Sequence, residues 1–144
     1  MMFDELKKNL IDNNYTIVIQ MVNGNIYTST ERGVKPLLMI LTENASQLEG
    51  ASVADKVIGK AAALLMAKGK IKEAYTPIIS TPALEVFHNH NISVVFDKEV
   101  ERIVNRKGDR LCPMESLCIG IDNPDEAFFA IKKKVSEMSN VKKG

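Results

Sequence analysis

Residues 71–97, IKEAYTPIISTPALEVFHNHNISVVFD, leave a folding chain few choices. IKEAYTPIIS and ISVVFD are rich in β-branched and aromatic residues and read as strands. TPALEVFHNHN between them opens on Thr81 and Pro82, as a helix start does. A strand, a short helical crossover and a second strand make a parallel pair with the helix packed on the sheet.

The remaining segments extend this unit. FDELKKNLIDNN sets Phe3, Leu6, Leu10 and Ile11 on one helical stripe. YTIVIQMVNGNIYTST is broken by Asn23-Gly24, a strong hairpin signal, so two antiparallel strands are expected there. GVKPLLMILTEN reads as strand or short helix, with Pro36 favouring helix. VADKVIGKAAALLMAKGK is apolar almost all round and rich in Ala, Leu and Met, the pattern of a buried helix ending at Gly69. KEVERIVNRKGDRL allows a further strand or a short helix leading to a turn at Lys107-Gly108-Asp109, and NPDEAFFAIKKKVSEM is a helix capped by Asn123 with Pro124 at its first position. The order predicts one α/β domain over 1–144, a three-layer α/β/α sandwich on a mixed sheet.

Composition narrows the function classes. Nineteen basic against eighteen acidic side chains leave a net charge of +1, too little field to hold nucleic acid. The lysine run 132–134 reads as the solvated face of the last helix. No apolar stretch approaches the ~18 residues of a membrane span, and the charged start MMFDELKKNLIDN lacks the apolar core of a signal peptide. A cytoplasmic protein without a membrane partner is expected, with Cys112 and Cys118 as free thiols.

ADKVIGKAAALLM at 54–66, STPALEVF at 80–87 and RLCPMES at 110–116 resemble a small bacterial family known as domain of unknown function 1893, over nearly the whole chain. The resemblance implies a cytidine-deaminase-like fold. Zinc deaminases of that fold carry a histidine-x-glutamate motif at one helix start and proline-cysteine-x-x-cysteine at the next. Here the corresponding residues are Asp55-Lys56-Val57 and Thr81-Pro82-Ala83-Leu84, and His88 and His90 lie at the far end of the second helix. The chain is therefore expected to bind no metal or other cofactor and to perform no zinc-dependent deamination.

Such a fold brings two helix starts to one sheet edge, where free N–H groups suit an anionic or polar ligand. Ser52, Asp55 and Lys56 are expected from one helix, with Lys60 a turn on, and Ser80 and Thr81 from the other. Asp55 alone reads more simply as an acid complementing a helix start. Gly59, costly in a helix interior, suggests close approach by a backbone or a ligand, and the two lysines need water, an acid or an anion.

In CPME, Cys112 falls at an N-cap, Pro113 at the first helical position and Glu115 at the third, as in a capping box with sulfur for hydroxyl. A thiol at a helix start is activated as a nucleophile, while a buried small apolar residue is the usual fate of free cysteine, and the two readings weigh equally for Cys112. Cys118, among Leu117, Ile119 and Ile121, reads as core. Three functions stay open: an enzyme or ligand-binding domain for a small, nucleotide-like molecule, with Cys112, Asp55 and Lys56 as catalytic candidates and Ser52, Lys60, Ser80, Thr81 and Glu115 lining the ligand; a non-catalytic binding or regulatory module that keeps the pocket; or an interaction protein that forms a homo-oligomer, a state compatible with all three.

Overall fold

A computed structural model describes residues 3–31, 33–104 and 112–143. Its elements run in order: α1 (Phe3–Asp12), β1 (Ile17–Gln20), β2 (Ile26–Ser29), α2 (Lys35–Asn44), a 3-10 turn (Ala45–Leu48), β3 (Ser52–Asp55), β4 (Val57–Ile58), α3 (Lys60–Gly69), β5 (Glu73–Ser80), α4 (Thr81–Asn89), β6 (Ser93–Val100), α5 (Pro113–Leu117) and α6 (Pro124–Lys143).

The fold is mixed α/β around a six-stranded mixed sheet. The hairpin β1–β2 forms about Asn23-Gly24, with Gly24 at φ 94°, and β1 pairs antiparallel with β3. β5 is central, parallel to β3 and β4 on one side and to β6 on the other. The strand–helix–strand unit, the helical choice for Pro36 and the Asn123 cap, whose side chain accepts from Glu126 N at 3.0 Å, all match the sequence reading. KEV continues β6 to Val100, and the turn expected at 107–109 lies outside the described residues.

Side-chain alternation feeds two cores. Val18, Ala54 and Tyr75 meet Leu6 and Leu10 of α1 on one face, while Ile17, Ile19, Val53 and Ala74 face α2, α3, α4 and α6. Ile11, expected on the apolar stripe of α1, is 55% exposed. The Tyr75 hydroxyl donates to the Asp97 carboxylate at 2.7 Å, tying β6 to the sheet.

The single long helix expected from residue 53 onward is corrected. Val53 and Ala54 pair with both β1 and β5, and helix begins only at Lys60. An all-round apolar pattern is shared by a buried helix and by a strand buried on both faces, so periodicity does not separate them. Gly59 is accordingly the N-cap of α3, with extended backbone, and not a helix-interior residue.

β3 and β4 are one strand interrupted at Asp55-Lys56. Ser52 lies opposite Glu73 and Val57 opposite Ile78, the same offset, so the break faces Thr76-Pro77. Pro77 has no N–H for the ladder. Across the break the faces exchange: Val53 and Ile58, an odd separation, share one core, and so do Ala74 and Ile79.

The Ser80 hydroxyl caps α4, accepting from Ala83 N at 3.2 Å in a buried setting. Ser80→Ala is expected to lower stability by about 1–2 kcal/mol, and Ser80→Thr by less, in urea unfolding.

Candidate functional site

The chain leaves the sheet at the carboxyl ends of β4 and β5 into the first turns of α3 and α4. Buried Ser80 ends β5 and buried Glu115 reaches the first turn of α3, while buried Thr76 and half-buried Asp55 lie further back along β5 and β3, at the break in the strand. Open parallel sheets bind ligands in the crevice beyond their strand ends. Thr76 is turned upon its own strand, its hydroxyl donating to Ile78 O at 2.9 Å. Thr81 donates to the Glu99 carboxylate at 2.7 Å, so the start of α4 is satisfied by Ser80 and joined to β6.

Asp55 pairs with Ile17, a residue of the larger core, so its carboxyl points to the side of the sheet on which α3 and α4 lie. Burial pushes the carboxyl up from 3.8 to about 8, against the opposing pull of the Val57 and Lys56 N–H groups. Asp55 is thus a neutral acid at pH 7, able to donate as well as accept.

The start of α3 is occupied by the protein itself. Glu115, delivered by α5, accepts from Lys60 N at 2.7 Å and from Ala61 N at 3.2 Å. This satisfies two of the first N–H groups that a helix leaves without partners. Gly59 makes it possible, because a Cβ there would lie on the Glu115 carboxylate. Burial raises the Glu115 carboxyl above its ordinary range, while the two N–H groups and the Lys60 charge pull the other way. The Lys60 ammonium reaches Asp122 at 3.1 Å. Cys118 is fully buried nearby, and burial followed by the Glu115 charge pushes its thiol up to about 11, in keeping with a core residue.

Of the residues expected at the site, Asp55, Lys60, Ser80, Thr81 and Glu115 stand at or beside this end of the sheet. Neither Asp55 nor Lys56 begins a helix, because the strand runs on to Ile58. Ser52 is at the opposite end of β3, donating to the Glu73 carboxylate at 2.8 Å. Lys56 reaches back to the Asn14 side chain at 2.6 Å.

Cys112 is at the N-cap of α5 and half-buried, with its N–H bonded to Ile103 O at 3.1 Å and its sulfur capping nothing. The capping box read from CPME is therefore not formed: Glu115 turns away from its own helix to cap α3. Among the described residues no hydrogen bond joins Cys112 to Asp55 or Lys56. Also among the described residues, no group of three His, Cys, Asp or Glu side chains could hold a metal ion, and no helix is long and apolar enough to cross a membrane.

Sequence reading missed Thr76 and Asp122. The Thr-Pro pair inside an otherwise regular strand is the signal for Thr76, since a ladder interrupted by proline needs a substitute hydrogen bond. Asp122 lies 62 positions beyond Lys60 in the chain and carries no local signal. A separate open groove of about 390 Å³ lies between the hairpin and α2, lined by Met21, Tyr27, Met39 and Glu43 among others.

The profile of a family described as a domain of unknown function, DUF1893, matches residues 5–135. The crystal structure of a DUF1893 family protein from Thermotoga maritima is similar in fold, with a TM-score of 0.83 and 27% sequence identity, covering 91% of this chain and 88% of that one. No curated protein matches the chain.

Proposed function

The chain belongs to the DUF1893 family, and from that premise we propose that it is a small-molecule-binding domain on a cytidine-deaminase-like, three-layer α/β/α scaffold, taking a neutral, nucleobase-like ligand at the carboxyl ends of β3–β5. The observation that carries this reading is the placement of Asp55, Thr76 and Ser80 on the adjacent strands β3 and β5, with Asp55 directed to the face on which α3 and α4 lie. Burying a polar group is expensive unless it is hydrogen-bonded, and Thr76, Ser80 and Glu115 have such partners within the protein. A carboxyl kept neutral at pH 7 presents a donor beside an acceptor, the pattern that complements a lactam or amidine edge.

An anionic ligand is less well served, since Glu115 already holds the N–H groups of Lys60 and Ala61. A binding module is favoured over a Cys112-dependent enzyme, because no hydrogen-bonded base stands against the sulfur among the described residues, and a nucleophile needs one or an equivalent activating charge.

Calorimetric titration of free nucleobases and nucleosides tests the reading. Wild-type affinity is expected to fall as the pH rises through about 8, where Asp55 ionises. Asp55→Asn, a neutral mimic, should keep its pH 7 affinity at pH 9, and Asp55→Ala should bind at least about tenfold more weakly at every pH, a loss of ~1.4 kcal/mol. Absence of binding across the panel, or wild-type affinity in Asp55→Ala, would refute it.

A further inference from the structure

The cap on α3 is unusual in that its carboxylate comes from a different element, 55 residues away in sequence from Lys60. That element, α5, has five residues, too few to persist as a helix without support. Among the described residues its supports are few. Met114 and Leu117 are partly buried against the core, Cys118 is a small buried side chain, Cys112 N bonds to Ile103 O, and Lys60 meets Asp122 just beyond the helix. Glu115 alone supplies two hydrogen bonds, and its seat exists because residue 59 has no side chain.

We propose that residues 113–118 form a strap over the start of α3, latched by the Glu115 carboxylate, which opens as a unit while the sheet and the other helices stay folded. Opening uncovers the Lys60 and Ala61 N–H groups at the end of the sheet read above as the ligand site, and closing covers them. The strap's role in access rests on that reading. Its existence does not, and no ligand is needed to test it.

Cys118 is the reporter, because it is fully buried when the strap is shut and is carried with it when it lifts. In a Cys112→Ser background, alkylation of Cys118 by N-ethylmaleimide is followed at rising sub-denaturing urea. Local opening gives a rate nearly independent of urea, whereas global unfolding gives one that climbs with the full denaturant slope. The expected result is a urea-insensitive rate, raised at least about tenfold by Glu115→Ala and little changed by Asp122→Ala, since the Asp122 side chain is 87% exposed. A Cys118 rate that tracks global unfolding, or one that Glu115→Ala leaves unchanged, would overturn the strap. Should Glu115→Ala fail to fold, the urea dependence of the Cys112→Ser protein alone decides, since a rate with the global slope rejects local opening. The strap can fail this test while nucleobases still bind, and nucleobase binding can fail while the strap stands.

Discussion

Asp55→Asn is expected to be more stable than the wild type at pH 9 and to lose most of the wild type's pH dependence between pH 5 and 9. The Asp55 carboxyl is held at about 8 in the fold against an ordinary 3.8, because burial disfavours its charge. A group whose folded pKa is raised contributes stability that is fully present below its unfolded pKa and is lost as the pH rises through the folded one. At about 1.4 kcal/mol per pH unit, the three units from pH 5 to about 8 set an upper bound of roughly 4 kcal/mol across that window. Because the side chain is only half-buried, solvent lowers the figure, and about 1–3 kcal/mol is the expected loss. Urea unfolding of both proteins at pH 5, 7 and 9 measures it. Parallel profiles would mean that Asp55 ionises as an ordinary carboxylate, and the neutral-acid role at the site would go with it.

Gly59→Ala is expected to cost about 2–3 kcal/mol although the backbone there suits any residue. Gly59 has φ −99° and ψ −177°, so no left-handed conformation is at stake. The added Cβ would lie 2.6 Å from Glu115 Cδ and 3.1 Å from Ile103 Cγ1. Glu115 is the flexible partner and gives way, leaving the Lys60 and Ala61 N–H groups without their acceptor. The cost is therefore that of the latch and not of a steric clash. A double-mutant cycle separates the two: Gly59→Ala introduced into Glu115→Ala should cost less than about 1 kcal/mol, an N-cap substitution alone. Additive effects would place the penalty elsewhere.

Much of the architecture was legible because it is written locally. Asn23-Gly24 marks the hairpin, Thr81-Pro82 the start of α4, and Asn123-Pro124 the start of α6, each by a backbone preference of the residues themselves. Residues 53–58 read as helix and form strand because apolar character on every side describes a strand between two cores as well as a buried helix. Val53 and Ala54 are divided between those cores, a fact of tertiary structure with no period in the sequence.

The candidate site was legible in part for the same reason. Asp55, Lys60, Ser80 and Thr81 follow from where the strands end, so order along the chain locates them. Glu115 carried a local reading, as the third position of a capping box, and its actual partners belong to another helix. Gly59 does admit a close approach through its lack of a side chain, but the group that fills the space is a carboxylate from α5 and not a backbone or a ligand. Ser52 and Lys56 are expected beside Asp55 only if all three belong to one helix start, and here they belong to a strand. On a strand neighbours point to opposite faces, and a few residues separate opposite ends of the sheet.

The most direct test of the proposed site is a map of backbone amide shifts by two-dimensional NMR during titration with the nucleobase or nucleoside that binds best. Shifts concentrated at Asp55, Lys60, Ala61, Thr76 and Ser80 are expected. Shifts confined to the groove of Met21, Tyr27 and Met39 between the hairpin and α2 would contradict the assignment.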